Sequence, residues 1–237
     1  MTTAAPDAAE LAQHEVLPSH AAGGISNPVL GMLLFITSEV MFFAGLFAAY
    51  FTIRAGFTEV VVGVGVVHVW PPTGYGDMLK VLPLIITDSE TGAQKLNLIL
   101  PATIILLASS FTCQMGVWAI RRDDHTGFRR GIAVTLLLGI LFLLMQAYDY
   151  SVLFSEGLSL SVNTFGTTYF TLTGFHGAHV FGGALMLAVV LYRAMAGQFT
   201  SKHHDMVEAT SLYWHFVDVV WIFLFFTLYV FGGANQT

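Results

Sequence analysis

The sequence predicts an all-α fold, a polytopic membrane bundle of five transmembrane helices, and three observations carry that prediction. Of 237 residues, 55% are apolar and only 10% charged. Soluble domains carry about 25% charged residues, so this chain has too little polar surface to cover a water-soluble globule. Five runs reach the roughly 20 predominantly apolar residues needed to cross ~30 Å of hydrocarbon as a helix. Finally, all connections but one are short, which makes sequential helices antiparallel neighbours, and no repeat pairs the halves as in many transporters.

Taken in order, "MTTAAPDAAELAQHEVLPSH" has neither a basic n-region nor an apolar h-region, and the first positive residue is Arg54. Residues 1–27 therefore read as a mobile tail without a secretory or transit signal, preceding a membrane domain over 28–233. The first span runs from Val29 to Ile53. Residues 54–95 follow, with "VVVGVGVVHVW" too short to span and punctuated by Gly63, Gly65 and a proline pair, so they read as an ordered outer loop. The remaining spans are Leu96 to Ile120, Gly131 to Phe154, Gly166 to Tyr192 and Val207 to Phe231. The fourth is long enough to imply tilt or a protruding end.

Arg121, Arg122, Arg129, Arg130, Arg193 and Lys202 fall on the side of the N-terminus, against Arg54, Lys80 and Lys95 on the other. That asymmetry predicts a cytoplasmic N-terminus and an outside C-terminus. Trp70, Trp118 and Trp214 lie near span ends or in the outer loop, where amphipathic rings favour the interface. Gly174, Ala178 and Gly182 form a small-residue stripe suited to close helix packing. The net charge of -6 and the scattered Lys and Arg exclude a nucleic-acid footprint. Cys113 is the single cysteine, which excludes an internal disulfide and any cysteine-based zinc or iron–sulfur site.

Polar residues at membrane depth are the candidate functional groups, because an acid at the bilayer centre costs about 2.5–3.5 kcal/mol even on lenient scales. Glu39 in "LLFITSEVMFFAGLF" stands near mid-span, either hydrogen-bonded to a neighbouring helix or handling a proton. Asp149, one turn from the outer end of the third span, reads as an interface anchor or as one of the intramembrane polar packing groups. His176 and His179, at i and i+3, are placed to donate hydrogen bonds across a helix contact. Such a pair could bind a metal or a haem, but it supplies only two nitrogens and the remaining membrane histidine is His215, so a four-His site for two haems cannot be assembled within the chain and no metal ligand is assigned. His215 and Asp218 are able to bond each other or a facing helix. No nucleophile with its base appears, so no catalytic residue is assigned.

Several stretches together are specific: "ITSEVMFFAGLFAAYF" at 36–51, "WPPTG" at 70–74, "LLLGILFLLMQAYDY" at 136–150, "TGFHGAHVFGG" at 173–183, "FTSKHHDMVEA" at 199–209 and "YWHFVDVVWIFLF" at 213–225. In these the chain resembles subunit III of the haem-copper terminal oxidases, most closely the cytochrome c oxidase type in a five-helix bacterial form. The resemblance covers about residues 28–233. It implies a non-catalytic subunit that binds oxidase subunit I directly, works beside subunit II, and carries no cofactor, the haem and copper lying in those partners. Cytochrome c or quinol would be met only through the complex, in a bacterial plasma membrane.

The resemblance further implies that Glu39, in the family's "SEV" motif, is linked to stability of the active enzyme and to proton uptake. Arg193 matches an arginine associated with phospholipid headgroups, and bound phospholipid is expected. His203, His204 and Glu208 match an inner-surface group placed to collect protons. The commoner family form has two further helices that wall a lipid-filled cleft, which this chain lacks, and "AIRRDDH" stands where a His pair is usual. Alternatives are the same subunit of a quinol oxidase, a subunit III-like partner of nitric oxide reductase, a proton-coupled transporter, and a haem-binding membrane cytochrome.

Overall fold

A computed structural model describes residues 25–61, 65–67, 70–72, 85–87 and 94–231. Five helices long and apolar enough to cross a membrane form a bundle. They are α1 (Asn27–Gly56), α2 (Ile99–Arg121), α3 (His125–Ser155), α4 (Thr164–Met195) and α5 (Asp205–Leu224), the last continued by a π-helical turn over Phe225–Val230. The chain is a multi-pass membrane protein. Most of the tail expected over 1–27, together with Gly63 and Lys80, lies outside the described residues.

Local chemistry sets the helix ends. Pro28 sits in the first turn of α1, where its missing N–H has no intrahelical partner to lose. Asp124 and Asn163 cap α3 and α4, their side-chain oxygens accepting from the amides of Gly127 (2.8 Å) and Gly166 (2.6 Å). Helices α3 and α4 close on Gly157 and Gly197, both at positive φ. In each, paired backbone bonds, such as Leu158 N to Leu153 O and Gly157 N to Phe154 O, satisfy the last carbonyls. Helix α2 ends in the same arrangement, but the left-handed position holds Asp123 (φ 58°).

At 32 residues α4 is about 48 Å long at 1.5 Å per residue, longer than the ~30 Å hydrocarbon, as the expected tilt or protrusion requires. The loop between α1 and α2, expected as an ordered segment outside the spans, has regular structure of its own. It carries two short antiparallel hairpins, β1 (Glu59–Val61) with β2 (Gly65–Val67) and β3 (Ile85–Thr87) with β4 (Gln94–Leu96).

Helices α2 to α5 close a four-membered ring in sequence order, and α1 leans on its outside against α5 and α4. The ring turns on Trp214 of α5, which is fully buried. Its Nε1 donates to Ser109 Oγ on α2 at 2.9 Å. A Cβ on Gly139 of α3 would come within 2.6 Å of its Cη2, and one on Gly183 of α4 within 2.8 Å of its Cε3. Only glycine leaves room for the indole at these two positions.

These contacts correct two expectations. Trp214 and Trp70 are core residues rather than interface rings, Trp70 donating from Nε1 to Tyr50 Oη at 2.9 Å, whereas Trp118 is half exposed. Proximity to a span end fixes depth but not the direction a ring faces. The close approach also falls on Gly183, one position beyond the stripe of Gly174, Ala178 and Gly182. Cβ atoms on Gly174 and Gly182 would meet only ordinary contacts, at 3.7 and 3.5 Å.

Candidate functional site

Glu39 lies midway along α1 and His179 midway along α4, and the two meet, His179 Nε2 to Glu39 Oε2, at 2.9 Å. The other ring nitrogen, Nδ1, is 2.7 Å from the carbonyl oxygen of Phe175, one turn back on α4. A carbonyl only accepts, so Nδ1 carries a hydrogen. A single proton then occupies the Nε2···Oε2 contact. The pair is either imidazole with carboxylic acid or imidazolium with carboxylate, and in both forms its net charge is zero. That neutrality is how an acid and a base are accommodated at this depth.

Phe42 and Phe43 close over the imidazole, at centroid separations of 6.4 and 5.0 Å. Side-chain exposures of 15% for His179 and 19% for Glu39 put the pair at the rim of the bundle, in the seam between α1 and α4. Tyr213 Oη donates to His179 O at 3.1 Å and ties α5 to the same place.

His176 does not share this role. It is fully buried between Phe142 and Trp221, and neither ring nitrogen has a hydrogen-bond partner among the described residues. The expectation that it donates across a helix contact is corrected. Three positions along a helix turn it about 60° from His179, toward the aromatic interior instead of the α1 seam.

His215 and Asp218 do not bond each other but meet at Ser110 of α2. The Ser110 hydroxyl donates to Asp218 Oδ2 and lies 3.0 Å from His215 Nδ1. Because the serine hydrogen is used on Asp218, His215 Nδ1 is the donor to Ser110 Oγ. His215 Nε2 reaches the Gln114 side-chain amide at 3.3 Å. The other Asp218 oxygen, Oδ1, is buried without a partner among the described residues. Here the facing helix supplies the partner, one of the two outcomes the i, i+3 spacing left open.

Asp149 turns inward rather than anchoring at the interface. Tyr169 Oη donates to Asp149 Oδ2 at 3.3 Å and lies 2.7 Å from Tyr229 Oη. With its own hydrogen given to Asp149, Tyr169 accepts from Tyr229, so the chain runs Tyr229 to Tyr169 to Asp149. Tyr229 reaches this place through the π-helical turn, which buries Thr227, Leu228 and Tyr229 in succession. Sequence reasoning passed over the two tyrosines and Ser110, since aromatics and serines are common in spans.

At the end where the positive loops gather, Glu208 Oε1 accepts from Arg121 Nη2 at 2.8 Å and Nε at 3.1 Å, and lies 3.1 Å from His204 Nε2. His203 is exposed and outside this cluster. Arg193 Nε donates to Gln198 at 2.8 Å, its Nη1 reaches Met206 Sδ at 2.9 Å, and its guanidinium lies over the Phe199 ring. Asp123, which the sequence reading did not single out, accepts from Ser201 N (2.8 Å) and Ser201 Oγ (2.7 Å), locking the α2–α3 corner to the α4–α5 loop. Those two bonds hold its carboxyl below the usual range. Among the described residues no three of His, Cys, Asp and Glu gather as a metal site would require.

The sequence model of the family described as Cytochrome c oxidase subunit III matches residues 14–233. The chain is 42% identical over 202 residues to cytochrome c oxidase subunit 3 of Corynebacterium diphtheriae, covering 84% of this chain and 86% of that one. It is 40% identical over 200 residues to the probable cytochrome c oxidase subunit 3 of Nocardia farcinica, with the same coverage of 84% and 86%. To the subunit 3 of Pongo abelii it is 40% identical over 203 residues, covering 86% of this chain and 69% of that longer one. The chain belongs to the cytochrome c oxidase subunit III family.

Proposed function

We propose that this chain is the non-catalytic subunit III of a cytochrome c oxidase complex in a bacterial plasma membrane. In this reading it packs against subunit I and works beside subunit II, which hold the haem and copper, with its N-terminus in the cytoplasm. Its electron donor is met only through the complex. The single observation that carries a role for the chain's own residues is the Glu39–His179 contact, a one-proton, net-neutral pair bridging α1 and α4 at mid-membrane. In this reading the pair holds α1 against the ring during turnover and passes its proton toward the partner. His204 and Glu208 collect protons at the inner surface, and phospholipid headgroups are held near Arg193.

The test is purification of the complex with a tagged chain, followed by its absorption spectrum, subunit list and oxygen turnover with reduced cytochrome c. Co-purifying haem- and copper-bearing subunits with oxygen turnover are the expected result. Turnover only with quinol would move the chain to the quinol oxidase branch of the same assembly. A chain that purifies without haem-bearing partners and drives ion flux in liposomes would overturn the reading.

A further inference from the structure

Between the inner halves of α2 and α3 runs a groove of about 610 Å³ that none of the contacts described above fills. That volume lies within the ~300–1,000 Å³ of small-molecule sites. Its walls are Thr112, Met115 and Trp118 from α2 and Val134 from α3, and its mouth is set by Arg122 and Arg130. Met115, Trp118 and Val134 are 61%, 51% and 43% exposed, so the apolar wall is open to the membrane. Neither Arg122 nor Arg130 makes an ion pair or a side-chain hydrogen bond among the described residues, in contrast to Arg121 on Glu208 and Arg193 on Gln198. Asp124 also borders the mouth, its Oδ1 accepting from the Gly127 amide at the start of α3, and its charge offsets one of the two arginines.

The groove has the dimensions of one leaflet. From Arg122 at the end of α2 to Thr112 is ten residues, about 15 Å at 1.5 Å per residue, half of the ~30 Å hydrocarbon thickness. Along its floor the two helices close on each other, where a Cβ on Gly131 would lie 2.8 Å from Gly116 Cα, and at its deep end Thr112 Oγ1 bonds Thr135 Oγ1 at 2.8 Å. Cations at the headgroup level, an indole just inside, and an apolar channel that stops near the midplane match the shape and charge of one amphiphile.

We propose that the α2–α3 groove binds an anionic phospholipid, its phosphate between Arg122 and Arg130 and one acyl chain along Trp118, Met115 and Val134 as far as Thr112. Free phosphate would leave the apolar wall open, and a zwitterionic lipid would gain less from a mouth that stays net positive, with Arg122 and Arg130 against Asp124. The site is separate from Arg193, which lies at the end of α4.

The test is native mass spectrometry of the purified complex, stripped of lipid by detergent and offered phosphatidylglycerol or phosphatidylcholine in turn. The wild-type complex is expected to retain phosphatidylglycerol on this chain in preference to phosphatidylcholine. The double variant Arg122→Gln/Arg130→Gln should lower that retention about tenfold, and Arg122→Lys/Arg130→Lys should restore much of it. Val134→Trp should block retention with both arginines present. All these positions are exposed, and unchanged melting of the variants will show that the fold is kept. Equal retention of the two lipids by wild type would overturn the proposal, as would unchanged phosphatidylglycerol in both the Gln and Trp variants. Loss of a companion subunit with the lipid count unchanged would also overturn it, by making the groove a protein interface.

Discussion

Glu39 and His179, 140 positions apart in sequence, share one proton across the α1–α4 seam at 2.9 Å, with the imidazole oriented by the Phe175 carbonyl. The geometry separates two roles of the acid. Glu39→Gln keeps a donor for the Nε2 lone pair but has no proton to exchange, whereas Glu39→Ala removes the bridge. The Gln variant is expected to keep subunit III in the purified complex and to slow any proton-linked step. The Ala variant should lose both retention and durability over many turnovers. Subunit stoichiometry alongside oxygen consumption over time checks this, and identical behaviour of the two variants would refute a proton role.

The Trp214 cradle predicts a position-specific cost. Gly139→Ala and Gly183→Ala force a methyl against the indole and should destabilise by about 1–3 kcal/mol, the range for overpacked cores. Gly177→Ala on the same helix as Gly183 meets nothing within 4 Å and should be neutral or slightly stabilising. Thermal unfolding of the three variants in detergent distinguishes them.

Ser110 is the common partner of His215 and Asp218, and Asp218 Oδ1 already lacks one among the described residues. Ser110→Ala should therefore cost about 1–2 kcal/mol, toward the upper end for hydrogen bonds between membrane helices, because it strands a buried acid. Ser38→Ala, whose hydroxyl among the described residues bonds its own helix at Phe35 O, should cost far less. Denaturant titration in mixed micelles provides the comparison.

The direction of the Tyr229–Tyr169–Asp149 chain makes its members unequal. Tyr169→Phe strands both the Asp149 carboxyl and the Tyr229 hydroxyl, while Tyr229→Phe leaves the Tyr169 donation to Asp149 intact. The first should be the more destabilising by about 1 kcal/mol. Equal melting shifts would mean that Tyr169 is not the central link.

Asp123 gives a pH signature outside the membrane. Its carboxyl is held below the ordinary value of 3.8 by Ser201, so its stabilising contribution is fully present above about pH 5. That contribution is lost as pH falls through the depressed folded value. Asp123→Asn keeps a residue that tolerates the left-handed backbone while removing the charge. The melting difference between wild type and variant should be present at pH 7 and shrink toward zero at strongly acidic pH.

The five spans, their order and the family were legible in the sequence because each rests on local composition or contiguous motif. Glu39 and His179 were both singled out, but not as partners. His176 and His179 looked equivalent at i and i+3, and Asp149 looked like an interface group. The difference lies in helix rotation: His179 faces α1, His176 faces Phe142 and Trp221, and Asp149 faces Tyr169. Trp214 was misplaced for the same reason.

By itself the sequence determined that this chain crosses the membrane five times and carries acids and histidines at depth. Transfer free energy is a sum over neighbouring residues, and that sum needs no knowledge of what lies opposite. Only the tertiary structure decided which of those groups pair. The partners stand on different helices, and their facing is set by close contacts such as Trp214 between Gly139 and Gly183. In hydrocarbon, where no water offers an alternative bond, that facing separates a shared proton at Glu39 and His179 from a His176 ring with no hydrogen-bond partner among the described residues.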